Sequence, residues 1–290
     1  MTEQHTIELP DGRTVGFADY GASDATAVLW CHGAPGSRLE PGYLAPAAAD
    51  AGLRLVGIDR PGYGLSSPQP GRTIAGWVPD ALAVTEALEI VNFVTVGVST
   101  GGAYALALAA LAPERVLGVV ACCAMTDMRW PEGRSTMSAP HTHAVWDAPD
   151  RAGALTAAVE AFGEDGSKML QIGEAPLAVS DLAMFRDREW TAAMMTAMPA
   201  MFTHGVEGYA DDRLADGPGW VTFDVGLIAA PVIVLHGGSD IIVAAAHAHH
   251  TAAIVPTAEL RVVPELGHFS IISELLPAIL RVLTRHAAGN

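Results

Sequence analysis

A chain of 290 residues with 50% hydrophobic content can bury one large core and a modest second element, so one domain with an insertion is expected. Its 32 acids against 16 bases leave a formal charge of −16, which repels nucleic acid and anionic membrane surfaces and excludes both as partners. The cysteines, Cys31, Cys122 and Cys123, fit neither a disulfide framework nor a zinc site and read as small buried hydrophobes.

The first fourteen residues are polar, carry acids and lead into no apolar run, so neither a signal nor a transit peptide is expected and the cytoplasm is the expected compartment. Thr6 to Leu9 and Thr14 to Asp19, joined by Pro10-Asp11-Gly12, predict a hairpin. Strands then alternate with helices: Ala27 to Cys31, Leu53 to Ile58, a helix near Asp80 to Asn92, Phe93 to Val98, a helix from Gly102, and Val116 to Cys123. That alternation predicts an α/β fold with a mostly parallel sheet and helices on both faces. The most apolar region, Phe93 to Cys123, is interrupted by Ser99, Thr100, Pro113, Glu114 and Arg115 and so is no membrane span.

Gly97-Val98-Ser99-Thr100-Gly101 falls where an apolar strand meets an Ala/Leu-rich helix. A tight turn there needs small neighbours, because side chains at Gly97 and Gly101 would collide with strand and helix. Such a turn holds the Ser99 hydroxyl clear of the sheet as a candidate nucleophile. The helix that follows aims free N–H groups at any anion forming beside the serine, and the first of them belongs to Thr100.

After Cys123 the alternation stops. Residues 125–222 show helical patches separated by Pro and Gly and no clear strand, which predicts a helical cap inserted into a core of residues 1–124 and 223–290. Of the ten methionines, all but Met1 lie between Met125 and Met201, four of them in the patch Ala192 to Phe202. Facing a cleft, such flexible side chains would line a soft apolar pocket for varied acyl or alcohol groups; packed between helices, they would be ordinary core. Met125, Trp130, Met194, Met198, Phe202 and Phe269 are the candidate pocket residues, with Trp146 and Trp190 sharing the ambiguity. His141 and His143, beside Pro140, read as exposed loop histidines.

Pro231 to His236 reads as a buried parallel strand, and Gly237-Gly238-Ser239 leads from it to Asp240. Of His247, His249 and His250 on the next helix, only His247 and His250 share a face, and no metal-site spacing follows, so a solvated surface and no metal are expected. Leu260 to Val263 is another short strand, and the loop after it carries His268. Serine, acid and histidine thus follow three strands in the chain order of a serine hydrolase. Asp127, after Cys123, is a competing acid; Cys31 lacks a partner base, His32 braces its loop and His236 is a packed residue.

With these segments the chain resembles the α/β-hydrolase superfamily, and the resemblance covers nearly its whole length. His32-Gly33-Ala34-Pro35-Gly36 is similar to the family's oxyanion loop, which implies that the Ala34 backbone N–H is a second oxyanion donor. Asp59-Arg60-Pro61-Gly62-Tyr63-Gly64 is similar to the family's structural turn after the next strand. The combination resembles the proline iminopeptidase-like and small esterase-like branch. It implies Ser99 as nucleophile, His268 as base, Asp240 as orienting acid, no cofactor, and hydrolysis of an ester or lactone of a small, largely apolar substrate. Iminopeptidase and carbon–carbon bond hydrolase readings stay open, the former needing acids such as Glu160, Glu164, Asp165, Glu174 or Glu207 in the cleft. So does a non-catalytic ligand-binding member, and a homodimer is compatible with the sequence.

Overall fold

The structure, a computed structural model, describes residues 3–169 and 177–289. Its strands are β1 (Glu3–Glu8), β2 (Thr14–Tyr20), β3 (Thr26–Cys31), β4 (Leu53–Ile58), β5 (Phe93–Val98), β6 (Val116–Cys122), β7 (Val232–Gly237) and β8 (Ala258–Val263). They form one eight-stranded sheet in the order β1-β2-β4-β3-β5-β6-β7-β8. β2 runs antiparallel to β1 and β4, and every pairing from β4 to β8 is parallel. β3 to β6 read as continuous apolar runs because helices cover both of their faces.

Helices α1 (Ala45–Asp50), α2 (Val78–Ala87) and α3 (Gly101–Leu111) alternate with the strands. Between β6 and β7 come α4 (Pro140–Trp146), α5 (Arg151–Phe162), α6 (Val179–Met184), α7 (Arg188–Met201) and α8 (Glu207–Asp216); α9 (Ala246–Ile254) and α10 (Leu275–Gly289) complete the chain. No helix among the described residues is long and apolar enough to cross a membrane.

Alternate residues of each buried strand feed opposite faces of the sheet. Leu29 and Cys31 join Phe93, Leu106 and Val119 on the side of α2, α3 and α9, while Val28 and Trp30 join Val96, Val120 and Leu235 on the side of α1 and α10. α3 is apolar all round and buried from Gly101 to Ala110, as befits a helix enclosed by sheet and neighbours. α10 instead buries one stripe, Leu275, Ala278, Ile279 and Val282, at i, i+3, i+4 and i+7. Val282 seats against Gly118 of β6, where an added Cβ would lie 2.7 Å from a Val282 methyl.

The insertion has its own core of Val145, Ala154, Phe162, Ala197, Met201 and Tyr209, against which Ala34 and Leu39 pack from the sheet side. Its seat is tight at Gly62 and Gly208, where a Cβ on Gly62 would lie 2.9 Å from the Gly208 backbone. Gly64 N also donates to Ala200 O at 2.8 Å. At the centre of this junction Asp212 of α8, wholly buried, pairs with Arg60 and Arg72 and accepts from Tyr63 and Tyr104.

Candidate active site

The strand order reverses at β3, which has β4 on one side and β5 on the other, and open parallel sheets keep their crevices at such a point, beyond the carboxyl ends. Cys31 pairs with Gly97, so the His32–Gly36 loop leaves the sheet beside Ser99. Val98 pairs with Cys122, and Ser99 N donates to Cys122 O at 2.9 Å. Gly237 pairs with Val263, which brings the loops of Asp240 and His268 together.

Ser99 is half-buried at φ +52, a left-handed conformation that a non-glycine residue holds only where its surroundings enforce it. A side chain on Gly101 would overlap the carbonyl of Cys31, and one on Gly97 the carbonyl of Gly101, which is why this turn needs both glycines. α3 begins at once, with Thr100 already helical, so the first turn's amides follow directly on Ser99.

His268 Nδ1 donates to Asp240 Oδ2 at 2.7 Å, and both side chains are buried. Since the carboxylate can only accept, the neutral imidazole carries its proton on Nδ1 and keeps a lone pair on Nε2. Asp240 is oriented in turn by the Ile242 and Val243 amides, each 2.9 Å from Oδ1. Burial is the largest influence on the His268 pKa and would depress it, but the Asp240 carboxylate together with Cys123 and Asp181 outweighs it and raises the value above that of an ordinary imidazole. Burial likewise opposes ionisation of Asp240, and His268 and His236 more than reverse that, holding it below the usual carboxylate range. Asp127 has other partners: Arg129 and the Trp220 amide occupy its carboxylate.

The His32–Gly36 loop is fixed from three sides. His32 Nδ1 lies 2.7 Å from Gly33 O, and Arg60 N donates to His32 Nε2 at 3.2 Å, so His32 does brace its loop. The Arg60 guanidinium donates to the carbonyls of His32 and Gly33. Glu40 accepts from Gly33 N and from Trp30 Nε1, both at 2.9 Å, and burial pushes its carboxyl pKa up. A Cβ on Gly33 would lie 3.8 Å from Ser99 Cβ and 3.5 Å from Glu40 Oε2, so loop, serine and Glu40 are neighbours. Among the described residues, neither the Ala34 nor the Thr100 amide is taken up by a hydrogen bond outside the helices and strands.

The candidate pocket residues divide. Phe269 lies edge-on to His268, with ring centroids 5.4 Å apart, and meets Phe185 and Trp190 of the insertion. Met194 and Phe202 belong to the insertion's apolar core, the one Ala34 packs against, and Met198 is half-buried on the same helix as Met194. Met125 is buried with Met128, Met137 and Trp146, its sulfur 3.5 Å from Arg213, whose guanidinium also donates to Thr100 Oγ1. Trp130 stands apart: it stacks on His250 and lines a cavity of about 500 Å³ with Asp127, Trp220, Phe223 and Ile254, a lining that includes neither Ser99 nor His268.

Two histidine expectations are corrected. His247 is fully buried rather than solvated, because the 126–136 loop folds over α9: Thr126 N donates to its Nδ1 at 3.1 Å and Thr136 Oγ1 lies 2.9 Å from its Nε2. His141 and His143 lie on α4 rather than in a loop and are half-buried; His141 packs on Phe162 and burial pulls its pKa down to about 4. Of the acids considered for an ammonium grip, Glu207 pairs with Arg151 and Glu174 lies outside the described residues. Glu40 and Asp181 escaped the sequence reading: Asp181 binds backbone amides of a distant loop, Glu40 binds the Gly33 amide and the Trp30 indole across a turn, and neither set of partners leaves a mark on sequence.

Residues 26–275 match the family model described as alpha/beta hydrolase fold. Over 280 residues the chain is 25% identical to a non-heme chloroperoxidase of Streptomyces lividans, covering 91% of this chain and 92% of that one. It is 23% identical over 308 residues to a proline iminopeptidase of Neisseria gonorrhoeae, covering 96% and 94%. The crystal structure of a hydrolase from Pseudomonas aeruginosa superposes with a TM-score of 0.74 at 22% identity, over 97% of this chain and 98% of that one.

Proposed function

The chain belongs to the alpha/beta hydrolase fold family, and on that premise we propose that it is a serine hydrolase that cleaves a carboxylic ester or lactone of a small, largely apolar substrate. The observation that carries this reading is the 2.7 Å bond from His268 Nδ1 to Asp240, in a loop at the same sheet edge as a serine held at φ +52. His268 Nε2 takes the Ser99 proton as Oγ attacks the carbonyl carbon, and Asp240 stabilises the imidazolium. The Ala34 and Thr100 amides receive the oxyanion, each such donor lowering the barrier by about 3 kcal/mol. The imidazolium then protonates the departing alcohol, and the neutral imidazole activates water to release the acid from Ser99.

Residues 125–222 act as a cap over a core of residues 1–124 and 223–290. The apolar character of its inner residues, Met194 and Phe202 among them, supports an uncharged substrate.

Ser99→Ala should abolish hydrolysis of short p-nitrophenyl esters with the circular dichroism spectrum unchanged, while a fluorophosphonate should label Ser99 in the parent. Retained hydrolysis would remove Ser99 from the role. Cleavage of proline naphthylamide in preference to esters would favour an aminopeptidase, and labelling without turnover of an ester panel would favour a ligand-binding protein.

A further inference from the structure

Asp181 lies in the first turn of α6, within the insertion, and is wholly buried. Its carboxylate faces the loop of His268. Oδ2 accepts from His268 N at 2.9 Å, and Oδ1 accepts from Phe269 N at 3.0 Å, Ser270 N at 2.8 Å and Ser270 Oγ at 2.8 Å. These amides open the 3-10 turn Ser270–Glu274, where intrahelical acceptors are lacking and a negative charge is welcome. Gly267 completes the seat: a side chain there would overlap the Asp181 carboxyl, and its amide donates to Ser270 Oγ at 2.8 Å.

We propose that Asp181 is a positioning residue for the reaction, a clamp by which the insertion holds the backbone of His268 so that its ring stays between Asp240 and Ser99. This rests on the reading of His268 as the base. A segment that only covered a pocket would gain nothing from a carboxylate buried on three successive backbone amides that begin at the histidine. The clamp acts at the residue whose ring must meet two partners at once, where a displacement of about 1 Å can cost a hundredfold in rate. It also brings a negative charge close to the imidazolium that forms when Ser99 is deprotonated. The charged and titratable groups acting on His268 include Asp240 at 2.7 Å, Cys123 from the end of β6, Asp181 from α6 and Glu40 from the 3-10 turn Glu40–Leu44.

The test is Asp181→Asn, nearly isosteric but uncharged, with one oxygen replaced by an N–H donor that meets amides instead of accepting from them. On a p-nitrophenyl ester kcat should fall about tenfold or more with KM changed less than about threefold. The downfield proton resonance of His268 Nδ1–H should titrate at lower pH than in the parent, because a negative charge has been removed. Ser270→Ala, which deletes one donor and keeps the carboxylate, should lower kcat in the same direction by less without moving the His268 titration to lower pH, and its kcat serves as the probe if the first variant does not fold. Unchanged kcat in either folded variant, a loss confined to KM, or an unmoved His268 titration in folded Asp181→Asn would overturn the proposal. The resonance is read without turnover, so a failed clamp is distinguishable from a failed Ser99 reading, which only activity of Ser99→Ala would reveal.

Discussion

His236 Nε2 stands 3.3 Å from Asp240 Oδ2, the same oxygen that receives the His268 proton at 2.7 Å. His236 Nε2 is also 2.9 Å from Val243 O, which can only accept, so that nitrogen carries a hydrogen shared between carbonyl and carboxylate. Asp240 is therefore held by two imidazoles and two amides in one buried orientation.

Replacing Asp240 with Asn keeps the shape and removes the acceptor that selects the Nδ1–H tautomer of His268. For Asp240→Asn kcat should fall about ten-thousand-fold in steady-state ester hydrolysis. Asp127→Asn should stay within a few-fold of the parent, because Asp127 is bonded to Arg129 and Trp220 instead. The opposite ranking would transfer the acid's role to Asp127.

The pH dependence follows from the same pair. The proposed mechanism needs neutral His268, whose pKa the net effect of burial and Asp240 raises. The acid limb of kcat/KM should thus lie above the ordinary imidazole value of about 6.5 and should move to lower pH in Asp240→Asn. Stability runs the other way: the raised pKa contributes stability in full below the unfolded value and loses it as pH climbs through the folded one. An acid limb at or below the ordinary value would contradict this assignment.

Gly101→Ala would push a methyl into the Cys31 carbonyl, which is backbone and cannot step aside without parting β3 from the elbow. A stability loss on the order of 1–3 kcal/mol in urea unfolding is expected, together with lower kcat, since Ser99 and the Ala34 loop would separate. Unchanged kcat would show that the spacing between elbow and loop does not govern the rate.

Asp212→Ala would leave Arg60 and Arg72 buried beside an empty site, at a cost of about 3–5 kcal/mol in denaturant unfolding. The His32–Gly36 loop should loosen as well, because the same Arg60 holds the His32 and Gly33 carbonyls. A loss below about 1 kcal/mol would mean that solvent enters and screens these charges.

The parallel strands were legible because a strand covered on both faces needs apolar residues throughout, and β3 to β6 have little else. Ser99 and Asp240 were legible because each follows the carboxyl end of such a strand, and His268 because it follows the half-buried edge strand β8. Partners across the fold were not. Arg60 meets Asp212 from 152 positions away, and Asp181 reaches the His268 amide from 87 positions away, through contacts that no local pattern encodes. The burial of His247 was missed for a related reason: helical periodicity shows which histidines share a face, not which loop will cover it.

The charges shared by Asp212, Arg60 and Arg72 bear on how the molecule comes apart. Separating α8 from the sheet would strand two guanidinium groups in a dry interior, so no partly melted species lacking only that helix is cheap to populate. Calorimetry should record one endotherm for scaffold and α8 together, and hydrogen exchange at Tyr209 to Arg213 should report the global opening of the protein.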